Sequence, residues 1–285
     1  MTRFPSYDGT VLSYAVAGEV RHGPPLVCLP GGPGRAVAYL EDLAGLSTVR
    51  SLVLLDPRAS GHSEVPADPS TLRFDRQARD LEALREYLGL VTLDVLAHSA
   101  ATLVAQGWAS QHPDRVGRLV LVTPSGRLQG SEREDVPMIR QLFSDEPWYA
   151  EALEAAQALP DVPPSQRSGL ERATRPFMYG RWDDRTQAHA ATADSHSSKR
   201  ALLGFGQGLE DLDVDALVKG LRAVTAPVLV VGGERDALTG LESVLAVAGA
   251  FPTAQHVVVP GAGHFPWVDE PVAFRAAVDP FLAQT

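Results

Sequence analysis

The sequence predicts an α/β protein: a mostly parallel sheet with helices on both faces and a helical segment inserted between two of its strands. Three observations predict it. Short, β-branched apolar runs alternate with helical patterns along most of the chain. That alternation stops after Thr123 and resumes at Pro227. The length, 285 residues, suits one large domain or two modest ones with ample core.

The strand runs are VLSYAVA from Val11, LVCL from Leu26, SLVLLD from Ser51, LDVLAHS from Leu93, RLVLVT from Arg118, PVLVVGG from Pro227 and QHVVVPG from Gln255. Strands covered on both faces read as continuous apolar runs, so these are expected to be buried and parallel. Phe74, Ala78, Leu81, Leu84 and Leu88 recur at three- and four-residue steps. This spacing predicts a helix over 74–88, closed by Gly89 in the left-handed conformation. Helices are also expected over 101–111, ending before Pro113, and over 241–250. From Gly126 to Lys219 there is no strand pattern, only helical stretches such as 144–159 and a Pro-rich joint at 161–164. The expected organisation is a core of residues 1–125 and 220–285 interrupted by a helical cap over 126–219.

Composition narrows the function. Hydrophobic residues are 45% and charged residues 21%, the usage of a globular chain rather than a disordered one. Lys and Arg number 25 against 35 Asp and Glu, a net charge of −10. With no dense basic stripe, a nucleic-acid partner is disfavoured, because phosphate binding needs cations to displace counterions. The single cysteine, Cys28, excludes a disulfide framework and a multi-cysteine zinc site. No His-Glu-x-x-His spacing suggests a metal. The N-terminal MTRFPSYDGT has no apolar leader, and no run approaches the ~20 apolar residues that cross a bilayer. A cytoplasmic protein with no membrane partner, metal or cofactor is expected.

The chemistry gathers at strand ends. Ala97-His98-Ser99-Ala100-Ala101 follows one strand and opens a helix. A serine on such a turn is lifted above the sheet, and the N–H of the next residue, Ala100, is aimed at a bound carbonyl oxygen. Asp236 follows the run PVLVVGG, and His264 follows QHVVVPG. A serine hydroxyl needs a base to take its proton, imidazole is suited to that, and a carboxylate fixes the imidazole's tautomer. The order Ser, acid, His, each at a strand's C-terminal end, is the one this kind of sheet uses. Glu234 is a rival acid two residues from Asp236, which is preferred. His98 is expected to point away from Ser99; His22, His62, His112, His189, His196 and His256 carry no motif. Pro30-Gly31-Gly32-Pro33-Gly34, directly after LVCL, is a glycine turn whose amides can approach an oxyanion with no Cβ in the way.

Taken together these residues resemble the α/β-hydrolase superfamily and, within it, the proline iminopeptidase-like serine peptidases, over nearly the whole chain. Pro30-Gly31-Gly32-Pro33-Gly34 is similar to that group's His-Gly-Gly-Pro-Gly signature, and the segment from Asp56 to Ser63 to its D-x-R-G-x-G-x-S loop. The resemblance implies an α/β-hydrolase fold, Ser99 as nucleophile, Asp236 as orienting acid, His264 as base, Gly32 and Ala100 as oxyanion donors, and a cap roofing the pocket. Tyr179-Gly180-Arg181-Trp182-Asp183 resembles a W-x-x-W-E motif whose acid holds a substrate's free amine. On that resemblance Tyr179, Trp182 and Asp183 are expected to bind substrate, a small molecule or short peptide. The chain departs from the pattern at Pro30, at Ala97 and Ala101 in place of glycine, and at Ala100 in place of a bulky aromatic. The expected activity is acyl transfer releasing an N-terminal residue. The alternatives are an esterase or lactonase, which does not need Asp183, and a non-hydrolytic binding protein or lyase of the same fold. Phe143, Trp148, Phe177 and Phe205 are further cap aromatics that suit a small apolar residue if they face the pocket.

Overall fold

The computed structural model describes residues 1–19, 23–163 and 166–283; His22 and Pro164 lie outside the described residues. Among the described residues eight strands form one sheet: β1 (Thr2–Pro5), β2 (Val11–Ala17), β3 (Leu26–Leu29), β4 (Leu52–Asp56), β5 (Leu93–His98), β6 (Val116–Val122), β7 (Val228–Gly233) and β8 (Ala254–Val259), in the order β1-β2-β4-β3-β5-β6-β7-β8. From β4 to β8 every pairing is parallel.

Two expectations about the strands are corrected. The run from Val11 is antiparallel to β4 and to a strand that the sequence reading did not include, β1. In β1 only Phe4 is buried, so four residues carry one apolar signal and no alternation. The run from Gln255 is not buried: β8 ends the sheet, and Gln255, His256 and Val257 are exposed.

The helices are α1 (Phe74–Tyr87), α2 (Ala101–Gln111), α3 (Val136–Gln141), α4 (Tyr149–Ala158), α5 (Ser168–Ala173), α6 (Asp184–Ala191), α7 (Ala193–His196), α8 (Lys199–Phe205), α9 (Val214–Leu221), α10 (Gly240–Ala250), α11 (Pro266–Asp269) and α12 (Pro271–Ala283). Gly89 takes φ 66° just past α1, where its missing Cβ makes the left-handed turn inexpensive. Successive residues of each central strand face opposite cores. Val27, Val95, Leu119 and Val230 pack against α1, α2 and α10 on one side; Leu26, Leu96, Val120 and Leu229 pack with α12 on the other. Crossing residue 219, α9 places Leu217 and Leu221 in the first of these cores, beside α2. A third, smaller cluster joins Ile139, Phe143, Ala152 and Phe177 to Ala237.

Parallel strands put all their C-terminal ends on one edge of the sheet. The loops after β3, β5, β7 and β8 therefore meet there, which brings residues 30–36, Ser99, Asp236 and His264 within reach of one another.

Candidate active site

β5 ends at His98 and α2 begins at Ala101, so the chain reverses within two residues. Ser99 pays for that with φ 54°, an uncommon conformation for a residue with a Cβ. Surrounding hydrogen bonds hold it: Ser99 N–H donates to Val122 O at 2.9 Å, and Ser99 O accepts from Thr102 N at 3.0 Å and Thr102 Oγ1 at 2.6 Å. Ala97 and Ala101 on either side are buried and small enough for the turn.

Ser99 Oγ lies 2.8 Å from His264 Nε2, and His264 Nδ1 lies 2.9 Å from Asp236 Oδ2. All three residues are buried. Asp236 accepts three further hydrogen bonds, from Leu238 N at 3.0 Å, Thr239 N at 3.1 Å and Thr239 Oγ1 at 2.5 Å. Burial opposes ionisation of Asp236, but the charge of His264 and the bonds from His264 and Thr239 outweigh it and hold the carboxyl below its ordinary value. Glu234 instead accepts from Gly261 N at 2.8 Å, at the exposed start of the loop that carries His264. The arrangement is a hydroxyl, an imidazole and a buried carboxylate in line, able to pass a proton from Oγ to Nε2 while the carboxylate steadies the ring.

The glycine turn after β3 packs directly on Ser99. A Cβ placed on Gly31 would stand 2.8 Å from Ser99 Cβ and 2.7 Å from His98 O, so only glycine allows this approach. Gly31 N–H donates to Tyr39 Oη at 2.6 Å. That leaves the N–H of Gly32, whose φ is 120°, and that of Ala100 with no hydrogen-bond acceptor among the described residues.

His98 faces inward, away from Ser99. Its Nδ1 is 2.7 Å from Tyr39 Oη and its Nε2 is 2.9 Å from His264 O. A carbonyl only accepts, so Nε2 carries the proton and Nδ1 accepts from the tyrosine. Burial, followed by the charge of His264, holds the His98 ring well below its ordinary value, so it stays neutral. Tyr39 and His98 are contributors that the motif reading did not assign; nothing but spatial proximity marks them.

The expected substrate-binding residues are engaged with other parts of the protein. Tyr179 is buried against Phe265, with its Oη 2.7 Å from His189 Nδ1. Trp182 packs on Tyr179 with ring centres 5.5 Å apart. Asp183 caps α6: its Oδ1 accepts from Thr186 N at 3.0 Å, Thr186 Oγ1 accepts from Asp183 N at 2.9 Å, and its Oδ2 pairs with Arg181 at 2.9 Å. Its side chain is 45% exposed. Phe143, Trp148 and Phe177 pack on one another, and Phe205 packs on Phe74 while also lining a mostly apolar cavity with Pro30, Pro33, Ala101 and Val104. Among the described residues no group of three or more His, Cys, Asp or Glu is placed to hold a metal ion.

Residues 24–271 match the family model for the α/β-hydrolase fold. The chain belongs to this α/β-hydrolase family. It is 24% identical to a proline iminopeptidase of Heyndrickxia coagulans, over 98% of this chain and 97% of that one. Among solved structures it resembles a proline iminopeptidase from Mycobacterium smegmatis, with TM-score 0.74, 22% identity and coverage of 99% and 97%. It also resembles an esterase from Exiguobacterium antarcticum, with TM-score 0.73, 17% identity and 99% of both chains covered. The eight-stranded, mostly parallel sheet is the fold that membership implies.

Proposed function

We propose that this α/β-hydrolase is a serine hydrolase that acts by acyl transfer on a small-molecule ester or lactone. The observation that carries the reading is the line from Ser99 Oγ through His264 to Asp236 at 2.8 and 2.9 Å. Ser99 Oγ adds to the carbonyl carbon as its proton passes to His264 Nε2, and the oxyanion takes hydrogen bonds from the Gly32 and Ala100 amides. The tetrahedral adduct collapses, the leaving group departs with the proton from His264, and a water activated by the same imidazole releases the acid and restores Ser99. The inserted helices over 126–219 act as the roof that excludes bulk water.

The engagement of Asp183 favours an ester over a peptide with a free amine. An ammonium under a cap needs a carboxylate, and this one is spent on a helix N-terminus and on Arg181. The second reading is N-terminal residue release, supported by the full-length similarity to a proline iminopeptidase.

A fluorophosphonate probe tests the first step, with rapid labelling expected at Ser99. Absence of labelling in folded protein would reject the acyl-transfer reading. A panel of short esters, lactones and aminoacyl-naphthylamides then separates the two substrate classes. Turnover of free aminoacyl amides with loss on N-acetylation would favour the peptidase.

A further inference from the structure

Arg35 directly follows the glycine turn and is 6% exposed, yet no carboxylate pairs with it among the described residues. Its Nη2 donates to Thr192 Oγ1 at 2.8 Å, its Nε has no partner among the described residues, and its guanidinium lies 3.9 Å over the ring of Tyr39. Arg58, also buried, shows what this protein does with a structural arginine. Its guanidinium is paired with Asp80 at 2.7 and 2.6 Å and with Asp8 at 2.6 Å. Taking a charge out of water is costly unless it is paired, and a ring face returns only part of that cost. Arg35 is thus a buried cation for which the described residues supply no counter-charge.

Its place is informative. Arg35 N–H donates to Gly31 O at 3.3 Å, and Gly31 packs against Ser99. Thr192 sits between α6 and α7, so the guanidinium bridges the oxyanion turn and the inserted helices. The histidines nearby add no further positive charge. His98, His189 and His196 are all held below their ordinary values, by burial first, with the charge of Arg35 adding to the effect.

We propose that Arg35 is the receptor for a carboxylate carried by the substrate, so that the hydrolase takes an ester or lactone bearing a free acid group near the scissile carbonyl. The guanidinium offers paired N–H donors that match a carboxylate, and the bound acid would supply the missing counter-charge. This substrate class rests on the serine-hydrolase reading above; the anion site itself does not.

Two esters that differ only at one end, monomethyl succinate and methyl butyrate, test it by titration of released acid. The wild type is expected to favour the succinate ester. Arg35→Met is expected to lower the ratio of kcat/KM for succinate over butyrate by about 10- to 100-fold, the range for losing a hydrogen-bonded charge pair. Arg35→Lys, which keeps the charge without the fork, is expected to fall between them. Free succinate serves as a probe independent of turnover: it is expected to raise the Tm of the wild type and not that of Arg35→Met. Replacing an unpaired buried charge with methionine should leave Tm unchanged or raise it. A lower Tm with equal loss on both esters would make Arg35 structural and overturn the proposal, as would a succinate shift that is absent or equal in both proteins. If neither ester is cleaved but the succinate shift depends on Arg35, the hydrolase reading falls and the anion site stands.

Discussion

His98 Nε2 donates to the main-chain carbonyl of His264 at 2.9 Å, tying the residue before Ser99 to the residue whose ring meets Ser99 Oγ. On its other side His98 Nδ1 accepts from Tyr39, and Tyr39 Oη accepts from Gly31 N. Thr123 Oγ1 adds a second hydrogen bond to His264 O at 3.0 Å. One buried chain therefore links the glycine turn after β3, the turn after β5 and the loop after β8. Each member has the donor or acceptor its neighbour lacks, which fixes one His98 tautomer and one relative placement of the three loops.

Tyr39→Phe should break that chain at its centre. The Gly31 N–H and His98 Nδ1 would both lose a partner in a region without water access, at a cost of about 1–3 kcal/mol. The expected result is a lower urea midpoint with unchanged slope, together with slower labelling of Ser99 by a fluorophosphonate. Unaltered labelling would show that the chain does not position the site.

Ser99→Ala should abolish labelling and lower turnover by about 10³-fold or more, the scale of triad knockouts. The fold should survive, since Ala97, Ala100 and Ala101 already show that alanine suits this turn. Circular dichroism and Tm check the fold; retained turnover on the preferred ester would place the nucleophile elsewhere.

Asp269 should make stability depend on pH. Its Oδ2 accepts from Gly263 N at 2.8 Å and Gly180 N at 3.0 Å, and burial pushes its carboxyl up from 3.8 to about 7 against those two bonds. A folded-state value raised above the unfolded one means that the contribution is complete below about pH 4 and is lost as pH rises through 7. Asp269→Asn mimics the neutral acid and does not titrate. Urea unfolding across this range should show the wild type losing stability relative to Asp269→Asn between those two values, with the difference constant above. A difference that is flat throughout would contradict the assignment.

Gly180→Ala should damage the site from the segment that precedes α6. A Cβ there would stand 1.8 Å from Gly261 O, a backbone atom with no rotamer to yield. Met178 O accepts from His264 N at 2.8 Å, so displacing this segment moves the base as well. Overpacking costs typically about 1–3 kcal/mol, and more where backbone must shift. A lowered Tm and reduced labelling of Ser99 are expected; a variant matching wild type in both would show that the loop tolerates separation.

Much of this was legible because some signals are local. The period of apolar residues announced α1, and the runs LVCL, LDVLAHS and PVLVVGG announced β3, β5 and β7 almost to the residue. The short β1 escaped, and the run from Gln255 was read as a strand but wrongly as a buried one, because a strand on the sheet's margin needs few apolar residues.

The parallel sheet, the serine-bearing turn, and an acid and a histidine at later strand ends were readable from the residue pattern, since each depends on neighbours within a few residues. Tertiary structure alone decided the rest. Asp236 rather than Glu234 meets His264, and Asp183 caps a helix. Tyr39 and His98, 59 residues apart, complete each other's hydrogen bonds, and Arg35 goes into the interior with no carboxylate partner among the described residues. The physical reason is that polar groups withdrawn from water must find partners wherever the fold places them. Sequence spacing carries no record of which partner is nearest once distant strands are side by side.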